Sequence, residues 1–495
     1  MFLCGFNFFA SSAKSPILDS LVVEALEFSR QQMIRTVVEL SDYSVYGDGI
    51  YPRGTDPQTG RWQARLAGHW ASGFLPGCLW RMYEWTQNVE WRNWADRWTS
   101  GLINQQYRTA DHEAGFILPS SYGCACRLTG QNLYAQVLLQ GAASLATRYN
   151  STVGCIRSWN SYHFPVIIDG LCALQLLWWA SKNGGQKNWF DMAVNHALKT
   201  VENNIRPDGS VFQIVDYNVD TGAVISRTNK QGYNDGSTWA RGQAWAIYGL
   251  SVAYRETGDI RFLQAAQKTS EYFIENLPVD HVPYWDFKAP NIPNEEKDAS
   301  AGAIASSGLL DLSTLDFESI AKEKHRNAAC SILASLCSPA YLAKGTNSRG
   351  ILLHGVGNRM NADRNAGEVD VSLIYADYFF LEALLRYRQT TASAVALNQE
   401  RQRLFSHWIQ NFPNPFNGQT VIDYELPQDT QVEIDVFSMN GKKVKTLINQ
   451  CQQKGKHSIR WNGRDEASLL LDSGIYLYQL KTDEQFVTKR MVYIK

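Results

Sequence analysis

The chain predicts an all-α (α/α)6 toroid, a barrel of six helical hairpins, followed by a small all-β sandwich of immunoglobulin-like build. Three observations carry this. Up to about residue 395, apolar residues recur at helical spacing, as in "PGCLWRMYEWT" and "QAAQKTSEYFIENL". Turns of similar chemistry recur between those helices. After "NFPNPFNGQT" (411–420) the pattern switches to strict alternation, as in "QVEIDVFSM" and "SGIYLYQL".

The turns come in order as "MYEWTQNVEW", "SYGCACRLTGQNLY", "WWASKNGGQKNW" and "VAYRETGDIRFL", with "LLDLSTLDFESI" a degenerate fifth. Each joins a more apolar helix to a more polar one. A sixth apolar helix ends at "LEALLRYRQT" with no polar helix after it. Six such hairpins close into a ring with the apolar helices inside, over residues 16–395. Residues 396–412 read as a linker. Pro413 and Pro415 stop any helix, and 413–495 read as short strands parted by Gly and Asn turns.

In such a ring every inner helix starts at the same end. The segments before the inner helices therefore converge on one cleft: 68–77, 111–123, 163–171, 232–245, 298–310 and 367–380. All mix carboxylates, Trp, Gly and Ser. Asp169, in "HFPVIIDGLCALQLLWWA", stands at the mouth of a strongly apolar helix. An ionised carboxylate there costs several kcal/mol unless it is paired or its pKa rises. It reads as a helix cap, as a member of a ring of reactive groups, or as both.

Composition bounds the function. Lys+Arg is 47 and Asp+Glu is 48, a net charge of −1, so no electrostatic footprint for nucleic acid or an acidic membrane is present. The 16 tryptophans fill a core and also suit a cleft that stacks on sugar rings. The nine cysteines hold no C-x-x-C pair, and the histidines lack i, i+4 pairing, so neither a disulfide framework nor a metal is expected. Residues 1–15, "MFLCGFNFFASSAKS", have the apolar run and small residues of a signal remnant without its positive start.

Residues 50–390 resemble glycoside hydrolase family 88, the unsaturated glucuronyl hydrolases. The matching blocks are "GHWASGFLPGCLW", "DHEAGFILPSSYGCACRLTG", "IIDGL", "RPDGSVFQIVDYNVDTG", "QGYNDGSTWARGQAWAIYG", "ASAGAIASSGLLDL" and "EVDVSLIYADYFFLEALLR". The resemblance implies hydration of the C4=C5 double bond that polysaccharide lyases leave on a non-reducing uronic acid, followed by release of the sugar. No cofactor is implied. Asp169 matches the family's acid/base. Glu113 stands where the family pattern holds Asp and inherits the roles of hydroxyl contact and tuning of Asp169. Gln213 stands where His is expected.

The same resemblance places Gln231, Trp239, Arg241 and Trp245 in the substrate pocket. Arg241 is the candidate for the uronate carboxylate, with a structural ion pair as the other reading. Trp70 and Trp245 stack on sugar faces or fill core. His69 and His112 read as structural or rim contacts, and Asp298, Asp370 and Asp377 as caps or supporting groups. Asp235 is the next acid to test if Glu113 fails. Rival readings are an unsaturated rhamnogalacturonyl hydrolase and a non-catalytic sugar-binding toroid. The tail, with "NPFN", "SGIYLY" and "KRMVYIK", resembles the C-terminal sorting domain of type IX secretion, or else a small carbohydrate-binding module. The expected partners are unsaturated uronide oligosaccharides and that secretion machinery. The expected location is outside the cell or on its surface, with the periplasm as the alternative.

Overall fold

The computed structural model describes residues 16–42, 50–315, 318–360, 368–407, 409–426, 428–482 and 486–495, with backbone alone over 392–407. The signal-like residues 1–15 lie outside these. Two compact units divide after Gln389.

The first unit is the toroid. Its inner helices are Phe74–Thr86, a continuous run from Ala114 to Thr129, the pair Gly170–Ala173 and Gln175–Lys182, then Ala240–Thr257, Ala299–Leu315 and Ile374–His407. The inner helix Ala240–Thr257 is buried without a break from Ala240 to Tyr254. The outer helix Val89–Ser100 buries only Trp91, Ala95, Trp98 and Thr99. That contrast is the amphipathic signature of an outer layer packed on an apolar one.

The repeated turns share one mechanism. Gln87, Gly130 and Gly258 end inner helices in the left-handed conformation, at φ 56°, 66° and 71°. Thr86, Thr129 and Thr257 just before them each return a hydroxyl hydrogen bond to the carbonyl four residues back. Asn88 and Asp259 then cap the next helix through the amides of Glu90 and Arg261.

The unpartnered sixth inner helix gets its outer helix from the other end of the toroid. Pro16–Leu40 fills that place. Asp19 accepts from the Tyr387 hydroxyl at 2.9 Å, and Gln32 Nε2 donates to Gly350 O at 2.7 Å. The stretch 396–412, expected as a linker, is instead helical to His407 and forms the strand Ile409–Phe412. No Gly or Pro interrupts the chain between Ile374 and Pro413, so nothing stops the helix earlier.

Short strands decorate the end where the inner helices begin. Pro165–Ile167, Ile214–Tyr217 and Val224–Thr228 form an antiparallel sheet. Tyr51–Thr55 and Trp62–Arg65 form a hairpin, tied to the sixth entry segment by Thr55 N–H on Ser372 O. The second unit stacks a four-stranded sheet (443–452, 430–438, 474–481, 486–493) on a three-stranded one (455–461, 420–426, 409–412). Ile422, Tyr424, Leu426, Ile434, Val436, Trp461 and Tyr478 form its core. The cysteines among the described residues are free, and no helix among them is long and apolar enough to cross a membrane.

Candidate active site

Asp169 is aimed by the small sheet. Strand Pro165–Ile167 pairs with Ile214–Tyr217, and Ile168 N–H then donates to Gln213 O at 2.9 Å. This fixes the chain one residue before Asp169. The Asp169 carboxylate caps nothing: it makes no side-chain bond to its helix, and its buried Oδ1 has no hydrogen-bond partner. The capping reading is therefore corrected. Burial raises its pKa to about 7, against the opposing charge of Arg241. The group holds a proton near neutral pH.

Glu113 opens the neighbouring inner helix, Ala114–Leu118. The two helix starts are in contact, because a Cβ on Gly115 would lie 2.3 Å from Ala173 Cβ. Only glycine lets these backbones approach so closely. Glu113 accepts from Arg108 Nη2 at 2.7 Å, and the same guanidinium binds Asp111 and donates to Gly68 O at 2.7 Å. Burial and the Asp111 charge raise the Glu113 pKa to about 7, with Arg108 and Arg53 opposing. The extra methylene of Glu113 carries its carboxylate to Arg108. Burial, and not Glu113, accounts for the raised pKa of Asp169.

Gln213 and Gln231 hold each other. Gln213 Nε2 donates to Gln231 Oε1 at 2.7 Å, and Gln231 N–H donates to Gln213 Oε1 at 2.8 Å. Gln231 Nε2 continues to Gly357 O at 3.2 Å. Arg241 Nη2 meets that same carbonyl at 2.6 Å, while Nη1 binds Asp298 at 2.9 Å and also Val356 O. Both terminal nitrogens of Arg241 are thus partnered, with one Nη2 hydrogen left over. Of its two readings, the structural ion pair is present. Asp298 also takes the amide and hydroxyl of Ser300.

The tryptophans divide. Trp70 is partly exposed, with Tyr375 at 4.9 Å and Phe116 at 6.2 Å between ring centroids. Trp239 is buried and covers the Arg241 guanidinium at 4.5 Å. Trp245 is 1% exposed between Phe116 and Phe379, so it is core and not a stacking platform. His112 is buried, pairs with Ser158 O through Nδ1, and is pushed down to about 4 by burial, so its ring is neutral near pH 7. Asp377 accepts from the amides of Ile351 and Leu352, and Asp370 pairs with His354. Asp235 lies in an exposed turn and accepts from Asn229 N–H. Sequence reasoning missed Arg53, Arg108 and Tyr375. Arg108, five residues before Glu113, could have been found as its local counter-charge, whereas Arg53 has no local signal.

No group of His, Cys, Asp and Glu among the described residues could hold a metal ion. The arrangement offers two proton-holding carboxyls on adjacent helix starts, an amide network and a partly exposed indole. This can deliver a proton to a bound sugar and recover one from water.

Known proteins match in both units. Residues 50–310 match the model of Glycosyl Hydrolase Family 88, and 410–495 match the secretion system C-terminal sorting domain. An unsaturated glucuronyl hydrolase from Formosa agariphila is 40% identical over 325 residues, 64% of this chain and 79% of that protein. An unsaturated chondroitin disaccharide hydrolase from Streptococcus agalactiae is 32% identical, covering 64% and 81%. The crystal structure of an unsaturated glucuronyl hydrolase specific for heparin superposes with a TM-score of 0.70 at 38% identity, covering 76% of this chain and 98% of that one. The enzyme from Bacillus sp. GL1 gives 0.67 at 28% identity, covering 75% and 96%. The sorting domain marks the chain for secretion. With its ring of hairpins and the blocks of its cleft matched together, the chain belongs to glycoside hydrolase family 88.

Proposed function

We propose that this enzyme removes the 4,5-unsaturated uronic acid from the non-reducing end of lyase-generated oligosaccharides by hydrating the C4=C5 bond. The observation that carries this is Asp169, a carboxyl with a buried, unpartnered oxygen at the head of an inner helix, where burial raises its pKa to about 7. Its proton passes to C4, and positive charge develops on C5 and the ring oxygen. Water adds at C5, and the Asp169 carboxylate takes the proton that water sheds. The C5 hemiketal opens at the ring oxygen and leaves a hemiacetal at C1, which expels the aglycone alcohol. One water is consumed and Asp169 ends protonated. Glu113, fastened by Arg108, contacts the sugar hydroxyls, and Trp70 stacks on the ring. Gln213 and Gln231 offer hydrogen bonds where a titrating group is not required. The tail hands the chain to the type IX secretion machinery.

The test is loss of the ultraviolet absorbance of the conjugated double bond on a panel of unsaturated disaccharides, including rhamnogalacturonyl ones. In 18O-labelled water, sampled before the carbonyls exchange, hydration places the label on C5. Label on C1 instead would mean direct displacement at C1 and would overturn the mechanism.

A further inference from the structure

Arg108, just before the second entry segment, has every donor engaged. A guanidinium carries five N–H groups. Nη1 donates to Gly68 O at 2.7 Å and to Gln105 Oε1 at 3.3 Å. Nε donates to Asp111 Oδ1, and Nη2 is divided between Asp111 Oδ2 and Glu113 Oε2, the latter at 2.7 Å. Glu113 therefore holds one of the five, through one oxygen. Its other oxygen, Oε1, has no hydrogen-bond partner among the described residues.

Asp111 sets this division. It takes Nε and one Nη2 hydrogen side by side, a fork that fixes the plane of the guanidinium. The same Oδ1 accepts from Glu113 N–H at 2.9 Å, a turn that sets the backbone from which the Glu113 side chain leaves. Asp111 thus fixes both the amide at the root of that side chain and the cation at its tip. Without the Asp111 charge, the guanidinium is free to turn and meet both oxygens of Glu113. The other charges nearby do not reverse this. Burial and Asp111 raise the Glu113 pKa, and Arg53, from the hairpin over the cleft, opposes them. Arg148, past the end of the outer helix Asn132–Ala146, faces Asp111 and Arg108. Burial pushes His112 down to about 4 and His69 down to about 3, so both rings are neutral near pH 7. Asp169, on the neighbouring helix start, is raised by burial to about 7.

We propose that Asp111 is a positioning residue for the reaction: by holding Arg108 it limits Glu113 to a single hydrogen bond from that cation and leaves Glu113 Oε1 free for the sugar. This rests on the hydration reading above, in which Glu113 contacts the sugar hydroxyls. Asp111 itself touches no reacting atom and acts through Arg108 and Glu113.

The test reads the pH profile of kcat/KM on a 4,5-unsaturated glucuronyl disaccharide. In Asp111→Asn the amide keeps an acceptor for Glu113 N–H and loses the charge and the second oxygen. Arg108 then turns to Glu113, which stays ionised at lower pH, and the acidic limb moves down by about one pH unit. KM rises, because Oε1 is drawn to Arg108. Arg108→Gln removes the cation, and the same limb moves up by about as much. Asp111→Glu restores the charge and brings the limb back toward the wild-type position. The alkaline limb, set by Asp169, stays in place in all three. The position of a limb does not depend on how much of a variant is folded, so lost stability cannot imitate these shifts. An acidic limb that stays put in Asp111→Asn and Arg108→Gln, or moves the same way in both, while Glu113→Gln does move it, would overturn the positioning role and leave the hydration reading intact. A wild-type enzyme inactive on this disaccharide, or a profile that Glu113→Gln leaves unchanged, would overturn the reading of Glu113 and the proposal with it.

Discussion

Asp169 is destabilised by its own function. Its carboxyl is neutral in the fold up to about pH 7, whereas in the unfolded chain it ionises near pH 4. A raised carboxyl pKa means that stability falls as pH climbs between those values. Asp169→Asn should therefore abolish turnover, with a loss of at least about 10²–10⁴-fold. It should also raise the melting temperature at pH 8 and leave it unchanged at pH 4. Scanning calorimetry at the two pH values, beside the absorbance assay, checks both. Retention of activity within a few-fold of wild type would end the acid/base assignment. Glu113 has a similarly raised pKa, so the pH–rate profile should be a narrow bell near pH 7. Asp169 sets its alkaline limb, because the donor must be protonated. Glu113→Gln should lower the rate severely and move the acidic limb. Glu113→Asp should keep measurable activity and change the preference among disaccharides. A silent Glu113→Gln would remove it from the two-carboxyl reading.

At the scale of elements, the site depends on two helix starts that nearly touch. A side chain on Gly115 would collide with Ala173. Gly115→Ala should cost about 1–3 kcal/mol and lower kcat, because it pushes Glu113 and Asp169 apart. Chemical denaturation and kinetics on the same sample read the two effects. The entry to Ala299–Leu315 depends on a buried ion pair, with Arg241 3% and Asp298 0% exposed. Asp298→Asn leaves a buried guanidinium unpaired, and breaking such a pair costs about 3–5 kcal/mol. If stability is unchanged in Asp298→Asn, Arg241 is not held as described.

On the scale of the whole molecule, the two units have separate apolar cores, and each buries its own. A chain ending after residue 400 should be soluble and active, since the cleft draws only on the first unit. Aggregation or inactivity would mean that the sandwich completes the toroid. Chelators should not alter turnover, because protonation and hydration need only a carboxyl and water. Inhibition by a chelator that a divalent metal reverses would refute this.

Periodicity and turn chemistry determined much by themselves. The 3.6-residue pattern sorts inner from outer helices, because burial on all sides demands apolar residues on all sides. The Thr-Gly and Thr-Gln turns mark where hairpins close. The switch to alternation marks the sandwich. Position at an inner-helix start was enough to single out Asp169, since a carboxylate before an apolar run is costly wherever the run is buried, whereas Glu113 stood out only through the family resemblance. Other features depended on contacts between distant parts of the chain. Pro16–Leu40 reads as a lone helix until the ring closes and gives it the sixth inner helix to cover. Arg241 meets Asp298 57 positions away, and Gly357 O 116 away, and these contacts decide that it braces the wall. Trp70 and Trp245 look alike in sequence, yet one stays partly exposed and the other fills the core, according to the aromatic rings that tertiary packing sets around each. Local pattern encodes which face of an element is buried. Which partner a charged or aromatic side chain finds on that face is decided only when distant segments pack against it.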